Sequence, residues 1–188
     1  MEEKSICPKN KIETIGEYKK AEMFLYYPKL KENPNGDPVA KQGDRQNIIN
    51  RANAPVLYDN SGGKYYRKSD LYIHHYQPAL ITKTSESLSM QAKLLMRGTE
   101  MFMKDVVFEE IIYQFSPLKS FTKTQMSQIN NGIELIKTTK PDVDNLSKLL
   151  MDSLSKIVFT DDNIIWKINN IRKIYSIIPG VLIKLVGR

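Results

Sequence analysis

Several carboxylates and one lysine are crowded into a short span in the C-terminal half of the chain. Asp142 and Asp144 stand two residues apart, and Lys148 follows Asp144 at a spacing of four residues. A second acidic pair, Asp161 and Asp162, comes shortly afterwards. Carboxylates this close together repel one another unless a cation lies among them. Oxygen ligands of this kind suit Mg²⁺ or Mn²⁺, so the span predicts metal-assisted chemistry.

The charge of the whole chain indicates what such chemistry would act on. The chain has 28 basic and 21 acidic side chains, which gives it a formal net charge of +7. An excess of this size favours a polyanionic partner, although charge that serves only solubility is the alternative. Hydrolysis of a phosphodiester needs an activated water and neutralisation of the phosphate, and divalent ions provide both. The acids and the positive charge together favour a nuclease.

A helix must position these residues. Apolar side chains recur at spacings of three and four, which predicts a helix over residues 144–156 with Asp144 or Asn145 as its N-cap. Lys148 then lies one turn beyond Asp144, where its ammonium group can reach the same pocket. We expect the loop that carries the second acidic pair to fold back to this pocket, so that acids from both ends of the helix meet.

Simpler interpretations of the span are also open. Acids are common at helix N-termini, so Asp142 and Asp144 are also explained by a capped helix with a surface salt bridge from Asp144 to Lys148. A calcium loop of the EF-hand type is excluded, because its sixth and twelfth positions would be Ser147 and Ser153. An aspartyl-phosphate phosphatase would need a buried strand directly before its nucleophile, whereas residues 137–141 are mostly polar.

The remaining patterns favour an α/β (α+β) fold, with a mixed β-sheet packed by helices. We expect a single domain over residues 1–188, with a flexible or helical extension at 1–20 and a long basic loop region at 28–70. The other predicted elements are a strand at 23–27, a helix at 85–103, a strand at 106–115, short elements within 116–136, a pair of strands at 164–168 and 172–178, and a strand at 181–186. Trp166 is expected in the core, and the alternative is a tryptophan near DNA that stacks on it.

The cysteine content and the apolar runs indicate the compartment. Cys7 is the only cysteine, so the sequence predicts neither an internal disulfide nor a cysteine zinc site. No apolar run is long enough to span a bilayer, and the first residues do not resemble a signal peptide. We therefore expect a cytoplasmic protein that does not bind membranes.

The ordered motifs of the acidic span resemble a known family. Lys140-Pro141-Asp142-x-Asp144-Asn145-Leu146-x-Lys148, then Leu150-x-Asp152-x-Leu154, then Asp161-Asp162, are similar to the signature of RusA-family Holliday junction resolvases. Members of this family occur in bacteriophages and prophages, which implies a bacterial host cell. The clear resemblance covers residues 132–178, and the strand and helix that precede them are also in the family order.

The resemblance implies a homodimeric endonuclease that uses Mg²⁺ or Mn²⁺. Such an enzyme cuts four-way DNA junctions by paired, symmetric nicks in strands of like polarity. The implied catalytic residues are Asp142, Asp144, Lys148 and Asp162, and the three aspartates among them are the implied metal ligands. The implied supporting residues are Asn145, Asp152 and Asp161.

Basic residues elsewhere are predicted to hold the DNA arms through phosphate contacts. These residues are Lys41, Arg45, Lys64, Arg67, Arg172 and Lys173. Residues 38–45 are similar only in outline to the basic, proline-rich stretch of the family, because Asp44 interrupts the positive charge. Two alternatives therefore accompany the junction-resolving function. One is a nuclease with the same metal site that cuts other branched or duplex DNA, and the other is a catalytically silent DNA-binding protein.

Overall fold

The computed structural model describes residues 10–41, 45–50, 57–58, 61, 64–65, 71–76 and 78–188. The chain divides into two compact units, which are residues 1–41 with 80–188, and residues 42–79. The prediction of one domain over residues 1–188 stays a prediction. The acidic span lies in the larger unit, which is therefore the unit that positions the candidate site.

The described elements form a mixed α+β fold, as the sequence predicts. The strands in chain order are β1 Lys11–Ile15, β2 Tyr18–Leu25, β3 Arg45–Asn50, β4 Leu57–Tyr58, β5 Lys64–Tyr65, β6 Leu71–Tyr76, β7 Val106–Phe115, β8 Leu135–Ile136, β9 Ile165–Ile168, β10 Ile171–Tyr175 and β11 Gly180–Gly187. The helices are α1 Ala79–Leu95, α2 Lys123–Asn130 and α3 Val143–Leu154, followed by a 3₁₀ turn at Asp162–Ile164. None of the described helices is long and apolar enough to cross a membrane.

The larger unit is built on a mixed sheet of seven described strands, in the order β1-β2-β11-β7-β10-β8, with β9 paired to β7. Strand β7 has the bounds that the sequence predicts, because most of its ten residues are β-branched or aromatic. It pairs antiparallel with β11 on one edge and parallel with β9 and β10 on the other. Ile165 lies beside Val106 near the start of β7, and Tyr175 lies beside Phe115 at its end.

The predicted pairing of residues 164–168 with 172–178 is wrong. Strands β9 and β10 do not pair with each other; they follow one another along the same edge of β7. The two asparagines between them continue the backbone hydrogen bonds along this edge of β7. The backbone N–H of Asn169 donates to the carbonyl of Phe108, and the carbonyl of Asn170 accepts from the N–H of Ile111, both at 2.9 Å. The segment 165–175 thus runs as one interrupted strand.

Helix α3 is fixed to the sheet by its apolar stripe. Leu146, Leu149, Leu150 and Leu154 are buried at spacings of three and four, together with the core-facing residues of β7. Ser153 joins α3 to α1: its hydroxyl lies 3.0 Å from that of Ser85, and its carbonyl accepts a 2.8 Å hydrogen bond from Ser89. Because α3 is held on both sides, its two ends have fixed positions over the sheet.

The prediction of a flexible or helical extension at residues 1–20 is wrong over its described part. Strands β1 and β2 form an antiparallel hairpin there, with Gly16 at a positive φ of 62° in the turn. The charged side chains that suggested an extension lie on the sheet surface, where Lys20 pairs with Glu109 of β7 at 2.9 Å. The partner stands far away in the sequence, so the pattern of residues 1–20 alone does not reveal the strand.

Residues 42–79 contain strands where the sequence predicts part of a long basic loop. Strand β3 pairs antiparallel with β6, and β4 pairs antiparallel with β5. Turn-forming residues between these short strands hide the alternation that identifies a strand. Within the described part of the chain, the predicted loop is found over residues 34–41, which lie in the larger unit.

Helix α1 begins and ends earlier than the predicted helix at 85–103. It runs from Ala79 to Leu95, so the buried Thr84 lies inside it. Gly98 follows the helix with a φ of 79°, a conformation that glycine adopts without the penalty paid by other residues. The methionines beyond this point therefore belong to the connection to β7.

Candidate active site

Two acids lie where the chain enters α3. Asp142 occupies the N-cap position, with φ −75° and ψ 146°, and its carbonyl accepts a hydrogen bond from Leu146 N–H. The sequence predicted Asp144 or Asn145 as the cap, which is wrong because the helix begins at Val143. The Asp142 carboxylate makes no capping hydrogen bond. Asp144 follows in the first turn, and both side chains are exposed.

These two carboxylates have no ion-pair partner among the residues that the structure describes. Lys148 lies one turn beyond Asp144, and it too is exposed and unpaired within the same part of the chain. The surface salt bridge from Asp144 to Lys148, which was the simpler interpretation, is therefore not found. The helix dipole favours negative charge at this end. Two carboxylates and one ammonium group thus face solvent from the first two turns of α3.

Strand β10 anchors the segment that leads to Asp142. The ammonium group of Lys173 donates to the carbonyls of Thr139 and Pro141, at 2.8 and 2.7 Å. Its backbone carbonyl accepts from Lys137 N–H at 2.9 Å. The sequence predicted Lys173 as a DNA-binding residue, which stays a prediction. In the structure, Lys173 holds the turn that places the first acid at the start of α3.

Lys137 lies buried under the same turn, and sequence reasoning missed it. Its ammonium group donates to the hydroxyl of Thr139 and lies 5.0 Å from the centre of the Phe115 ring and 5.6 Å from that of Tyr175. Burial lowers the pKa of Lys137, Lys173 lowers it further, and Asp37 opposes the shift. A lysine in a polar stretch gives no signal of burial, so no feature of the sequence marks it.

Lys41 connects the segment before the smaller unit to α3. Its ammonium group pairs with Asp152 at 2.5 Å, and its backbone N–H donates to the carbonyl of Asn145 at 2.9 Å. The supporting residues Asn145 and Asp152 thus hold one chain segment against the helix. The ammonium group of Lys41 therefore has an internal partner. Its predicted contact with DNA stays a prediction.

The second acidic pair lies at the other end of α3. Asp161 accepts from the N–H of Asn163 at 3.2 Å and from the ammonium group of Lys156 at 3.1 Å. The hydrogen bond from Asn163 and then the one from Lys156 lower the pKa of Asp161. Lys156 comes directly after the helix, so the pair is tied to its C-terminal end. Asp162 is exposed and begins the 3₁₀ turn.

The structure therefore does not bring Asp162 to Asp142 and Asp144 within one chain. At about 1.5 Å per residue, a helix of this length separates its ends by roughly 17 Å. Among the described residues, no group of three acids, histidines or cysteines lies close enough to hold a metal ion. The sequence expectation that acids from both ends of the helix meet is not met in the isolated chain. The role of the three aspartates as ligands stays a prediction.

The donor set at the start of α3 fits a magnesium-like ion in part. Two carboxylates without protein partners, close to each other in sequence and exposed, are the oxygen ligands that Mg²⁺ and Mn²⁺ prefer. Mg²⁺ commonly takes only one or two carboxylates and keeps several waters. The start of α3 thus supplies as many carboxylates as a magnesium ion commonly takes, and the third ligand implied by the family resemblance, Asp162, stays a prediction.

Arg172 has two carboxylate partners of its own. It donates to both oxygens of Glu134, at 2.9 and 2.8 Å, and to Glu110 at 2.7 Å. The hydrogen bond with Glu134 is the main cause that raises the pKa of Arg172. Its predicted contact with DNA stays a prediction, as do those of Arg45 and Lys64, whose backbones lie in β3 and β5. Arg67 lies outside the described residues.

Comparison with known protein families gives a match that covers the acidic span. A family model described as Endodeoxyribonuclease RusA matches residues 60–186 of this 188-residue chain. The matched range includes all of α3, the turn before it and the second acidic pair. No curated protein sequence matches the chain at a significant level.

Replacing Lys137 should change how stability depends on pH. The folded-state pKa of Lys137 lies below the ordinary value of 10.5, so the unfolded chain binds this proton more tightly. The penalty for the buried charge is therefore full below the folded pKa and disappears as pH rises to 10.5. Urea denaturation should show the unfolding free energy of the native chain rising with pH relative to that of Lys137→Met.

The matched control is Lys83→Met, which removes an exposed lysine of α1. Its unfolding free energy should follow that of the native chain over the same pH range. A flat or falling difference between the native chain and Lys137→Met would show that burial does not penalise this ammonium group.

Proposed function

This chain belongs to the RusA endodeoxyribonuclease family, and on that basis we propose that it resolves four-way DNA junctions by paired, symmetric, metal-dependent nicks. Family membership implies an endonuclease that resolves Holliday junctions. The dependence on Mg²⁺ or Mn²⁺ and the symmetry of the cuts are the proposed parts. The observation that carries the proposal is the pair of partnerless carboxylates at the start of α3, inside the matched range.

Asp142 and Asp144 would hold the ion, with Asp162 as the third ligand. A bound divalent ion would supply an activated water and would neutralise charge on the scissile phosphate. The anchoring of the preceding turn by Lys173 fixes where Asp142 stands before DNA binds. The fixed turn reduces the reorganisation that the site needs when the phosphate arrives.

Lys148 would act on the phosphate. It lies on the same face of α3 as Asp144, because residues four apart are neighbours on a helix. With no carboxylate partner in the described part of the chain, its ammonium group is free to contact a phosphate oxygen. A cation placed there stabilises the negative charge that develops in the transition state. Lys148 is therefore proposed as a catalytic residue.

A homodimer would explain both the symmetry of the cuts and the position of the third acid. A junction is cut twice, and a two-fold dimer presents two equivalent sites with matching symmetry. Since α3 holds Asp162 away from Asp142 and Asp144 in one chain, the second copy can supply Asp162 to the first. Each of the two sites would then contain residues of both protomers.

Neutralising the metal ligands should abolish cutting but preserve DNA binding. Asp142→Asn, Asp144→Asn and Asp162→Asn each remove a carboxylate charge from the proposed ion and leave the fold unchanged, because all three side chains are exposed. We expect a loss of roughly a hundredfold or more in nicking rate, as for groups that stabilise transition-state charge. Denaturing gels of a four-way junction with Mg²⁺, strand by strand, provide the measurement.

Glu86→Gln is the matched control, since it neutralises an exposed acid on α1 and should cut at the native rate. Normal nicking by the three aspartate variants would show that the metal site is wrong. Efficient cutting of flaps, forks or duplex by the native chain, without preference for the junction, would instead support the broader nuclease. Tight junction binding without any nicks would support the silent DNA-binding protein.

Removing the ammonium group of Lys148 should slow cutting without weakening junction binding to the same degree. Lys148→Ala loses a cation that acts mainly on the transition state, so the maximal nicking rate should fall by about a hundredfold. Single-turnover nicking measured against protein concentration separates the rate from the affinity. Lys93→Ala, an exposed lysine of α1, is the control. Full activity of Lys148→Ala would show that this lysine has no catalytic role.

Mixing two inactive variants should restore cutting if each site is shared between protomers. In a mixed dimer of Asp144→Asn with Asp162→Asn, one site carries both substitutions and the other carries neither. We therefore expect nicking in the mixture, at one of the two symmetric positions of a junction, where each variant alone is inactive. The nicks are again mapped on each labelled strand.

The opposite result has an equally clear meaning. If all three acids come from one chain, both sites of the mixed dimer contain a substitution and the mixture stays inactive. The chain would then have to rearrange on DNA to bring the ends of α3 together. Mass measurement of the mixture must show dimers that have exchanged protomers, so that an inactive mixture is informative.

A further inference from the structure

An aromatic pocket lies at the end of the sheet where β7 begins, away from the N-terminal end of α3. Its volume is about 290 Å³, which is at the lower limit of small-molecule sites. It is lined by Tyr18, Asp105, Val107, Trp166, Val186 and Arg188. These residues come from β2, β7, β9 and β11 or their ends, so the well-paired part of the sheet forms the pocket.

The indole of Trp166 is the most exposed wall of this pocket. Trp166 is the chain's one tryptophan, and 67% of its surface is accessible, where the sequence predicted a core position. The prediction is wrong because β9 is an outer strand, which among the described strands pairs with β7 alone. Tyr18 is 48% exposed. Large aromatic faces left open to water in this way are costly unless something covers them.

Charged groups surround the two rings. Arg188 pairs with Asp105 and lies over the ring of Tyr18, 5.6 Å from its centre. Two backbone hydrogen bonds with Lys104 fix the position of Arg188, so this arrangement is ordered. The ammonium group of Lys167 lies 6.0 Å from the centre of the Trp166 ring. Glu17 also lies 3.9 Å from the guanidinium group of Arg188, so two carboxylates balance this charge, and Lys167 is the cation of the rim that has no carboxylate partner among the described residues.

We propose that this pocket takes one unstacked nucleobase of the bound DNA. The proposal rests on the proposed function only in that DNA is the ligand. A base stacks on an aromatic face whatever its sequence, and the small volume admits one ring system. The ammonium group of Lys167 suits a phosphate next to that base. Arg188 and Asp105 offer a donor and an acceptor to its polar edge.

The place of the pocket in the chain connects it with cutting. Trp166 follows Asp162 by four residues, and the 3₁₀ turn between them is continuous with β9. A base held on Trp166 therefore fixes a DNA strand close to the third proposed ligand. Bases at the centre of a branched junction unstack at lower cost than those of a continuous duplex, as other unpaired bases do. The pocket thus gives the enzyme a means to favour branched over linear DNA.

The fluorescence of the single tryptophan tests this directly, in EDTA so that no cutting occurs. The native protein is titrated with an oligothymidine strand and with a strand of equal length in which abasic sites replace the bases. Stacking should quench or shift the emission with the first strand and not with the second, which keeps the phosphates. Fully paired duplex should also leave the emission unchanged.

Variants separate stacking from charge. Trp166→Ala should bind the oligothymidine strand about tenfold more weakly, the size of effect found for one stacked base, whereas Trp166→Phe keeps most of the affinity. Met90→Ala, at an α1 residue that is also 67% exposed, is the matched control and should bind normally. Lys167→Ala should weaken the intact and the abasic strand alike, because it removes a phosphate contact.

Other outcomes would overturn the proposal. Equal emission changes with the intact and the abasic strand would mean that only charge is involved. A change with protein concentration in the absence of DNA, together with a rise in mass, would assign the pocket to a contact between copies of the chain. The proposed function fails separately, since it depends on nicking of a four-way junction with Mg²⁺ and not on the tryptophan signal.

Discussion

The position of α3 on the sheet is the constraint on which the rest of the site depends. Its leucine stripe is buried, and Ser153 joins it to α1, so the helix cannot turn or slide without opening the core. Its length therefore holds Asp142 and Asp162 at opposite ends, although both belong to one family signature. A centre that needs both acids has to be completed by something outside this rigid element. The proposed dimer follows from this constraint as much as from the symmetry of the substrate.

The sequence predicts the parts of the site that depend on local patterns. The run of β-formers in β7 and the leucine spacing in α3 are strong signals, so these elements are found almost residue by residue. The path of the chain between elements is not encoded in such patterns. That is why Asp162 was expected beside Asp142, and why Trp166 was expected in the core. Lys137 and Lys173 were not identified as anchors, because their partners are ring faces and carbonyls of other segments.

The net charge of the chain does not show which of its basic side chains are free to contact DNA. Three of the lysines and arginines predicted to hold DNA have side chains that the structure describes, and all three have internal partners: Asp152 for Lys41, two glutamates for Arg172, and two carbonyls for Lys173. Their charge still adds to the field that attracts DNA. Their side chains, however, position the turn before Asp142 and the outer face of the sheet. We therefore expect direct phosphate contacts from cations that have no partner among the described residues, such as Lys148 in α3.

The two proposals meet in the segment that joins α3 to β9. Asp162 and Trp166 lie on it four residues apart, so whichever protomer supplies the third acid also supplies the aromatic pocket. In a dimer with shared sites, that protomer would hold an unstacked base while the other presents Asp142, Asp144 and Lys148. DNA without an unstacked base at a branch would then contact the protomer that holds Asp142, Asp144 and Lys148, but it would not fill the aromatic pocket of the other protomer. Each site would stay incomplete. Selectivity for branched DNA would arise from assembly of the site, with no need for readout of base sequence.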